Sequence, residues 1–428
     1  MLKYDAVIFD LDGTLIDSEP GIRQCVINAL NRMGRDIPPD NVLRRFIGPP
    51  LKESFMRHCG MDTSEAARAV LLYREKYVSE GLKDSRVYPS IRLLLKELKQ
   101  QGADVYVATG KPAVSTEKIL REFRLEQFID KTAAPDENDE SADKEALIRR
   151  LLEGKRYENP VMIGDRQSDI AGAYAAGISA IGVRYGFGEK EEFLSVGCPV
   201  AATPDELAVM LLGTDLLHKG YFISIEGLDG CGKTTQADAV ENLLTSLGYR
   251  VHRTREPGGC PISEKIRDLL LDIHNVGMGD ITEALLYAAS RAQHVREVIA
   301  PAISRGEIVL CDRFVDSSVA FQGGGRELGV ELIQQINAPA VSGYMPDTTV
   351  FLRLDHRTAL MRREKASALD RIESETASFH SRVENAYRII VDGDPDRFIV
   401  ADAQLPPDRI TAEIFPSLIT RIESAGVF

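Results

Sequence analysis

Two stretches of the chain combine residue types and spacings that can do chemistry. In the first, Asp10-Leu11-Asp12-Gly13-Thr14, two carboxylates stand two residues apart, and Gly13 supplies the turn that lets them face one site. A nucleophilic carboxylate beside a second carboxyl that can give and take a proton is what phosphoester hydrolysis through an acyl-phosphate requires. The second stretch, Gly227-Leu228-Asp229-Gly230-Cys231-Gly232-Lys233-Thr234-Thr235, is a full GxxxxGKT pattern. Its successive backbone N–H groups form an anion nest at a helix N-terminus. Lys233 then reaches β- and γ-phosphates of a nucleotide such as ATP, and Thr234 offers its hydroxyl to Mg²⁺.

Each stretch needs a strand before it and a helix after it, and the sequence provides both. Ala6–Asp10 (AVIFD) and Tyr221–Glu226 (YFISIE) are short apolar runs rich in β-branched residues, each ending in a glycine-bearing turn. Further strand candidates in the first half are Asp104–Thr109, Val161–Asp165 and Ser179–Val183. In the second half they are Arg250–Thr254, Ile308–Asp312, Thr348–Leu354 and Phe398–Ala401. Amphipathic helical patterns fill the gaps, which predicts α/β architecture with parallel sheets. The stretch from Glu19 to Tyr88 reads as helical with no β-run, an insertion after the first strand. The expected layout is a first domain over 1–213 with a helical cap at about 19–88, a linker at 214–219, and a second domain over 220–428.

Composition bounds the function. A chain of 428 residues suits two or three domains. A formal charge of −13, with both halves acidic and no basic tract, argues against nucleic acid as partner. No apolar run reaches the ~20 residues of a membrane span. The six cysteines never fall in a CxxC pair, and the N-terminus has no signal-peptide profile, so a reducing cytoplasm is expected.

Other strand ends of the first half add to the carboxylate pair. Thr109 closes VYVAT, Lys144 opens the helical run KEALIRRLL, and Gly164-Asp165-Arg-Gln-Ser-Asp169 closes another apolar strand with two more carboxylates. Ligands of open α/β sheets collect at such carboxyl ends. In this order the four motifs resemble the haloacid dehalogenase superfamily over about residues 4–212. The resemblance implies a Rossmann-like phosphatase core and assigns roles. Asp10 attacks phosphorus, and Asp12 protonates the leaving oxygen and then activates water. Thr109 and Lys144 hold the phosphoryl oxygens, while Asp10, Asp12, Asp165 and Asp169 hold Mg²⁺. The pattern VIFDLDGTLIDS, the turn Phe46-Ile-Gly-Pro-Pro-Leu51 in the cap, VYVATGKP and MIGDR…GAYAAGISAIGV together resemble the branch of 5′-nucleotidase-like and phosphoglycolate-phosphatase-like enzymes, with nucleotidase ranked first. A non-catalytic regulatory module for the second half is the rival; a sensor has no need of an acid beside a nucleophile.

Three stretches accompany the phosphate loop: Thr254-Arg-Glu-Pro-Gly-Gly259, Leu286–Val295, and Asp312-Arg-Phe-Val-Asp-Ser-Ser-Val-Ala-Phe-Gln-Gly323. Together they resemble thymidylate kinase over residues 219–428. The resemblance implies a P-loop fold, ATP as phosphoryl donor, dTMP as acceptor and a homodimer. It places Tyr287 against the pyrimidine, and Arg291 and Gln322 at its edge. Arg267 and Arg313 fall on the 5′-phosphate, Asp229 at the 3′-hydroxyl and Asp312 near Mg²⁺, with Glu256, Ser317 and Ser318 shaping the acceptor pocket. Gly230 stands where some thymidylate kinases carry arginine, so the resemblance is to the class that supplies arginine from a lid. The candidate lid is Met361–Ile372, with Arg362 and Arg371 fitting the pattern, Glu364 and Ala366 departing from it, and Arg363 and Lys365 as further cations. A deoxynucleoside kinase is the rival for this half.

Overall fold

A computed structural model describes residues 3–48, 50–136, 143–189, 192–193, 196–364 and 370–428. The chain divides into two compact units, Met1–Leu216 with Thr245–Gly248, and Leu217–Leu244 with Tyr249–Phe428.

The first unit is built on strands β1 (Ala6–Phe9), β4 (Asp104–Ala108), β5 (Lys131–Ala133), β6 (Pro160–Gly164), β7 (Ser179–Val183) and β8 (Val200–Ala201). Strands β2 (Ile16–Asp17) and β3 (Arg86–Val87) form a separate ribbon. The main sheet is parallel, in the order β5-β4-β1-β6-β7-β8. Strand β1 is buried at every position, as a central parallel strand covered on both faces must be. In register, Phe9 lies opposite both Val107 and Ile163, so Asp10, Thr109 and Asp165 emerge together at one sheet edge. That edge is a topological switch point, because the neighbours of β1 are reached by crossovers running in opposite directions.

The helical insertion comprises Glu19–Arg32, Asp40–Leu43, Leu51–Cys59 and Thr63–Ser79. Asp62 caps the last of these by accepting from Ser64 and Glu65 N–H groups, and Glu65 reaches back in a capping box. The reading of Glu19–Tyr88 as free of strands needs correction. Arg86–Val87 pairs antiparallel with Ile16–Asp17, a two-stranded ribbon that brackets the helices. Two residues are too few to show an alternation in sequence. Strands β5 and β8 were missed for the same reason: three and two residues long, they take their conformation from a neighbour.

The second unit has β9 (Tyr221–Glu226), β10 (Val251–Arg255), β11 (Ile308–Asp312), β12 (Thr348–Arg353) and β13 (Phe398–Asp402), parallel, in the order β10-β11-β9-β12-β13. Strand β9 is fully buried between β11 and β12. It feeds the glycine loop, after which the helix Lys233–Ser246 begins. Among the described residues, no helix is long and apolar enough to cross a membrane.

Candidate active sites

At the first sheet edge, Asp10, Asp165 and Asp169 converge, each offering an oxygen within 4.8 Å of the others. Lys144, the first residue of the helix Lys144–Leu152, reaches back to all of this. Its ammonium donates to Asp10 Oδ1 at 2.7 Å and to the Ala108 carbonyl at 2.9 Å, and lies 2.8 Å from Asp169 Oδ1. Burial pushes the Asp10 carboxyl up, against the pull of the Lys144 ammonium. Asp165 is pushed up to about 7 by burial and by the charge of Asp169. Its Oδ2 accepts the Phe187 N–H at 2.8 Å, while Oδ1 is buried without a hydrogen-bond partner among the described residues. Crowded carboxylates with an unpartnered buried oxygen suit a hard, oxygen-liking cation, so the donor set fits Mg²⁺. Gly13 is required here by space as well as by its positive φ: a Cβ would lie 2.1 Å from Asp165 Oδ2. Thr109 is buried beside these groups, and its Oγ1 accepts the Lys111 N–H at 3.2 Å.

Asp12 is placed apart from the cation cluster. One of its oxygens, Oδ2, lies 2.8 Å from the Lys111 ammonium, which also donates to the Tyr77 hydroxyl at 2.8 Å. Tyr77 belongs to the cap helix Thr63–Ser79, so a cap residue touches the partner of the candidate acid. Lys111 was missed in the sequence, although it follows Thr109 by two residues in the same motif. The Phe46–Leu51 turn also reaches the site: Arg166 Nη1, next to Asp165, donates to the Ile47 carbonyl at 3.1 Å. Pro49 of that turn lies outside the described residues.

In the second unit a cavity of about 510 Å³ opens at the glycine loop. Its walls include Asp229, Gly230, Gly232, Lys233, Thr234 and Thr235 from the loop region, and Glu256, Arg267, Tyr287, Arg291, Asp312, Arg313, Ser317, Ser318 and Gln322 from elsewhere. Every residue expected to bind the acceptor is therefore brought to one cavity. Gly227, Leu228 and Cys231 complete the loop, with Leu228 and Cys231 buried. Lys233 Nζ folds back on the loop, donating to the Leu228 carbonyl at 3.0 Å, and Thr234 donates its hydroxyl to Asp312 Oδ2 at 3.3 Å. Asp312 ends β11, beside the loop that β9 feeds.

Arg313, at φ 72°, pairs with Asp229 and donates to Ser317 Oγ at 3.0 Å. Burial raises the Asp229 carboxyl, but Arg313 and Lys233 outweigh it and hold the group far below the usual carboxylate range. Behind them lies Glu226, which the sequence reading passed over. It is fully buried and accepts from the Phe314 N–H at 2.7 Å, Ser317 Oγ at 2.6 Å and the Tyr387 hydroxyl at 2.9 Å. Burial, with the charge of Asp316, pushes it up to about 7.

Arg291 does not stand free at the edge of the cavity. Its guanidinium donates to Glu256 Oε2 at 2.8 Å, Ser318 Oγ at 3.1 Å, the Phe314 carbonyl at 3.1 Å and Asn337 Oδ1. Four of its five N–H groups are thus spent inside the protein. His294 adds a further link, between Glu256 Oε1 at 2.9 Å and Thr254 Oγ1 at 2.7 Å. Arg267 donates to the Pro257 carbonyl at 2.7 Å.

Of the lid stretch, residues 365–369, and with them Lys365 and Ala366, lie outside the described residues. Arg362 and Arg363 line the cavity; Arg362 donates to the Ala403 carbonyl at 2.8 Å and Arg363 pairs with Glu373. Arg371 is turned elsewhere, donating to the Leu270 carbonyl at 2.8 Å and lying 2.8 Å from Glu283 Oε2. Gly230 takes φ 83°, and a Cβ there would lie 2.5 Å from the Ala359 carbonyl.

Comparison with known proteins agrees with this division. The family model "Thymidylate kinase" matches residues 225–414. A thymidylate kinase of Limosilactobacillus fermentum is 46% identical over 205 residues, covering 47% of this chain and 96% of that protein. The chain belongs to the thymidylate kinase family. A thymidylate kinase of Finegoldia magna is 49% identical over 187 residues, covering 44% of this chain and 92% of that protein. These kinases account for the second unit only. The first is matched over residues 7–183 by the family model "Haloacid dehalogenase-like hydrolase". A predicted phosphatase from Clostridium acetobutylicum, of solved structure, is 36% identical, covers 49% of this chain and 99% of its own, and gives a TM-score of 0.46. The chain thus joins a haloacid dehalogenase-like hydrolase domain to a thymidylate kinase domain.

Proposed function

We propose that the second unit transfers the γ-phosphoryl group of ATP to dTMP, giving dTDP. The first hydrolyses a phosphomonoester through an aspartyl-phosphate, with a nucleoside 5′-monophosphate as first-ranked substrate class. The observation that carries the kinase reading is the cavity joining the phosphate loop to Tyr287, Arg313 and Gln322. Lys233 and the loop N–H groups hold the donor phosphates, and Arg267 and Arg313 hold the acceptor phosphate. Arg362 and Arg363 bring charge to the transferring group, and Thr234 and Asp312 would hold Mg²⁺.

In the first unit the carrying observation is one buried oxygen of Asp10 fixed by Lys144 inside the carboxylate cluster. Asp10 forms a bond to phosphorus as the bond to the leaving oxygen breaks, and Asp12 gives that oxygen its proton. Water then attacks the phosphorus, Asp12 takes its proton, and Asp10 leaves as inorganic phosphate is released. Thr109 and Lys144 hold the phosphoryl oxygens. Asp10, Asp165 and Asp169 would hold Mg²⁺, which would supply the positive charge that lets phosphate approach the carboxylates.

Exposed Ile262, Leu269, Ile281 and Leu285, on the helices Pro261–Leu271 and Asp280–His294, support a homodimer through the kinase unit. The nucleotide substrates and the free cysteines together fit the cytoplasm. The test has two arms on the whole protein. ADP release with dTMP but not with thymidine is expected. Phosphate release screened across nucleoside monophosphates, phosphoglycolate and sugar phosphates, with hydroxylamine trapping of the acyl-phosphate, names the other substrate. Turnover without a trappable acyl-phosphate argues for direct attack by water and against Asp10 as nucleophile.

A further inference from the structure

Glu283 stands one turn before Tyr287 on the helix Asp280–His294 and is fully buried. Its Oε1 accepts Nε2 of Gln322 at 2.9 Å. Its Oε2 accepts Nη2 of Arg326 at 3.0 Å and lies 2.8 Å from Nη1 of Arg371. Such a carboxylate between two arginines has only acceptors to offer, so it engages Gln322 through the NH₂ side of the amide. The orientation of that amide is thereby set, and Oε1 of Gln322 is left as an acceptor in the cavity wall, with no partner among the described residues. Arg371, on the other oxygen of Glu283, keeps a buried Nη2 without a hydrogen-bond partner among the described residues.

The wall thus offers a fixed acceptor. The imide N–H of thymine or uracil is complementary to it. Cytosine presents a lone pair at the same ring position and would set acceptor against acceptor. A buried polar group left unpaired in this way discriminates strongly, by roughly 10⁴-fold or more where the site is built to use the bond.

We propose that Glu283 is the positioning residue for base choice: by locking Gln322 it makes the kinase unit select imide pyrimidines over aminopyrimidines. This rests on the dTMP reading of the cavity.

The experiment compares kcat/KM for dTMP and dCMP in the full chain, wild type against Glu283→Gln. A glutamine can give or accept, so Gln322 is freed to present either face. The dTMP:dCMP ratio is expected to fall by about tenfold or more, with the ATP KM held within about twofold. Glu283→Asp keeps the charge that Arg326 and Arg371 need but draws back from Gln322, and the same narrowing is expected of it. It carries the test if Glu283→Gln gives no cooperative melt. An unchanged ratio, or equal losses on both nucleotides, would overturn the proposal. A wild-type protein inert towards dTMP would instead refute the underlying reading of the cavity.

Discussion

Both units place their chemistry at the carboxyl edge of a parallel sheet, yet they manage phosphate in opposite ways. In the first, side chains supply nearly everything: three carboxylates and one lysine are packed so closely that Lys144 bridges Asp10 and Asp169. In the second, the backbone leads, through a glycine loop after β9, and side chains gather around a cavity of about 510 Å³. The first arrangement suits a reaction in which the protein itself becomes phosphorylated. The second suits two bound molecules reacting with each other, where positioning dominates. Sharing an architecture therefore says little about the chemistry, which lies in what stands at the strand ends.

The comparison is tested most severely by reciprocal substitutions. Asp10→Asn should lower phosphatase turnover by at least roughly 10³-fold while ADP formation with dTMP stays normal. Lys233→Ala should do the reverse, costing the kinase about 10²- to 10³-fold. Loss of both activities from either change would mean that the units do not work separately.

The next largest effect concerns stability. Arg291→Ala leaves Glu256 buried without its arginine and should cost the kinase unit about 3–5 kcal/mol, read by denaturant unfolding. A stable Arg291→Ala protein with only a raised dTMP KM would return Arg291 to the edge of the base. Smaller again is Lys111→Met, which removes the ammonium that links Asp12 to Tyr77. Phosphatase kcat should drop by about 10- to 100-fold on alkyl phosphates and much less on an aryl phosphate with a good leaving group, which needs no proton from Asp12. Equal losses on the two substrates would make Lys111 a packing residue.

The smallest effect is a slope. Glu226 has its folded value raised from 4.5 to about 7 by burial and Asp316. Between those values the folded protein keeps a proton that the unfolded chain releases, so this group's contribution to stability is full at low pH and is lost as pH rises towards 7. Glu226→Gln should remove that loss, and its Tm advantage over wild type should grow from about pH 5 to about pH 8. A gap that stays constant with pH would show that Glu226 does not titrate in this window.

The elements legible in the sequence were those whose signal is local. Strands β1 and β9, the turn at Gly13 and the loop from Gly227 to Thr234 are runs of apolar residues ending in glycine, readable without a partner. The gathering of Asp10, Thr109, Lys144, Asp165 and Asp169 was legible as order along the chain. What escaped was pairing at a distance. Lys111 with Tyr77, and Gln322 with Glu283, join residues 34 and 39 positions apart, and no local pattern marks them. Arg291 shows the same limit in reverse. Its four-residue spacing from Tyr287 puts both on one helix face, but spacing cannot tell a guanidinium offered to a ligand from one consumed by Glu256, Ser318 and Asn337.

The backbone at Gly230 also bears on how this kinase can change over generations. With φ at 83° and the Ala359 carbonyl 2.5 Å from where a Cβ would sit, any side chain at this position collides with the helix His356–Glu364. A single mutation that introduced arginine into the loop would arrive with no room for its first carbon. The route from a lid-borne to a loop-borne arginine is closed to one-step evolution in this background, and it opens only if that helix is displaced first.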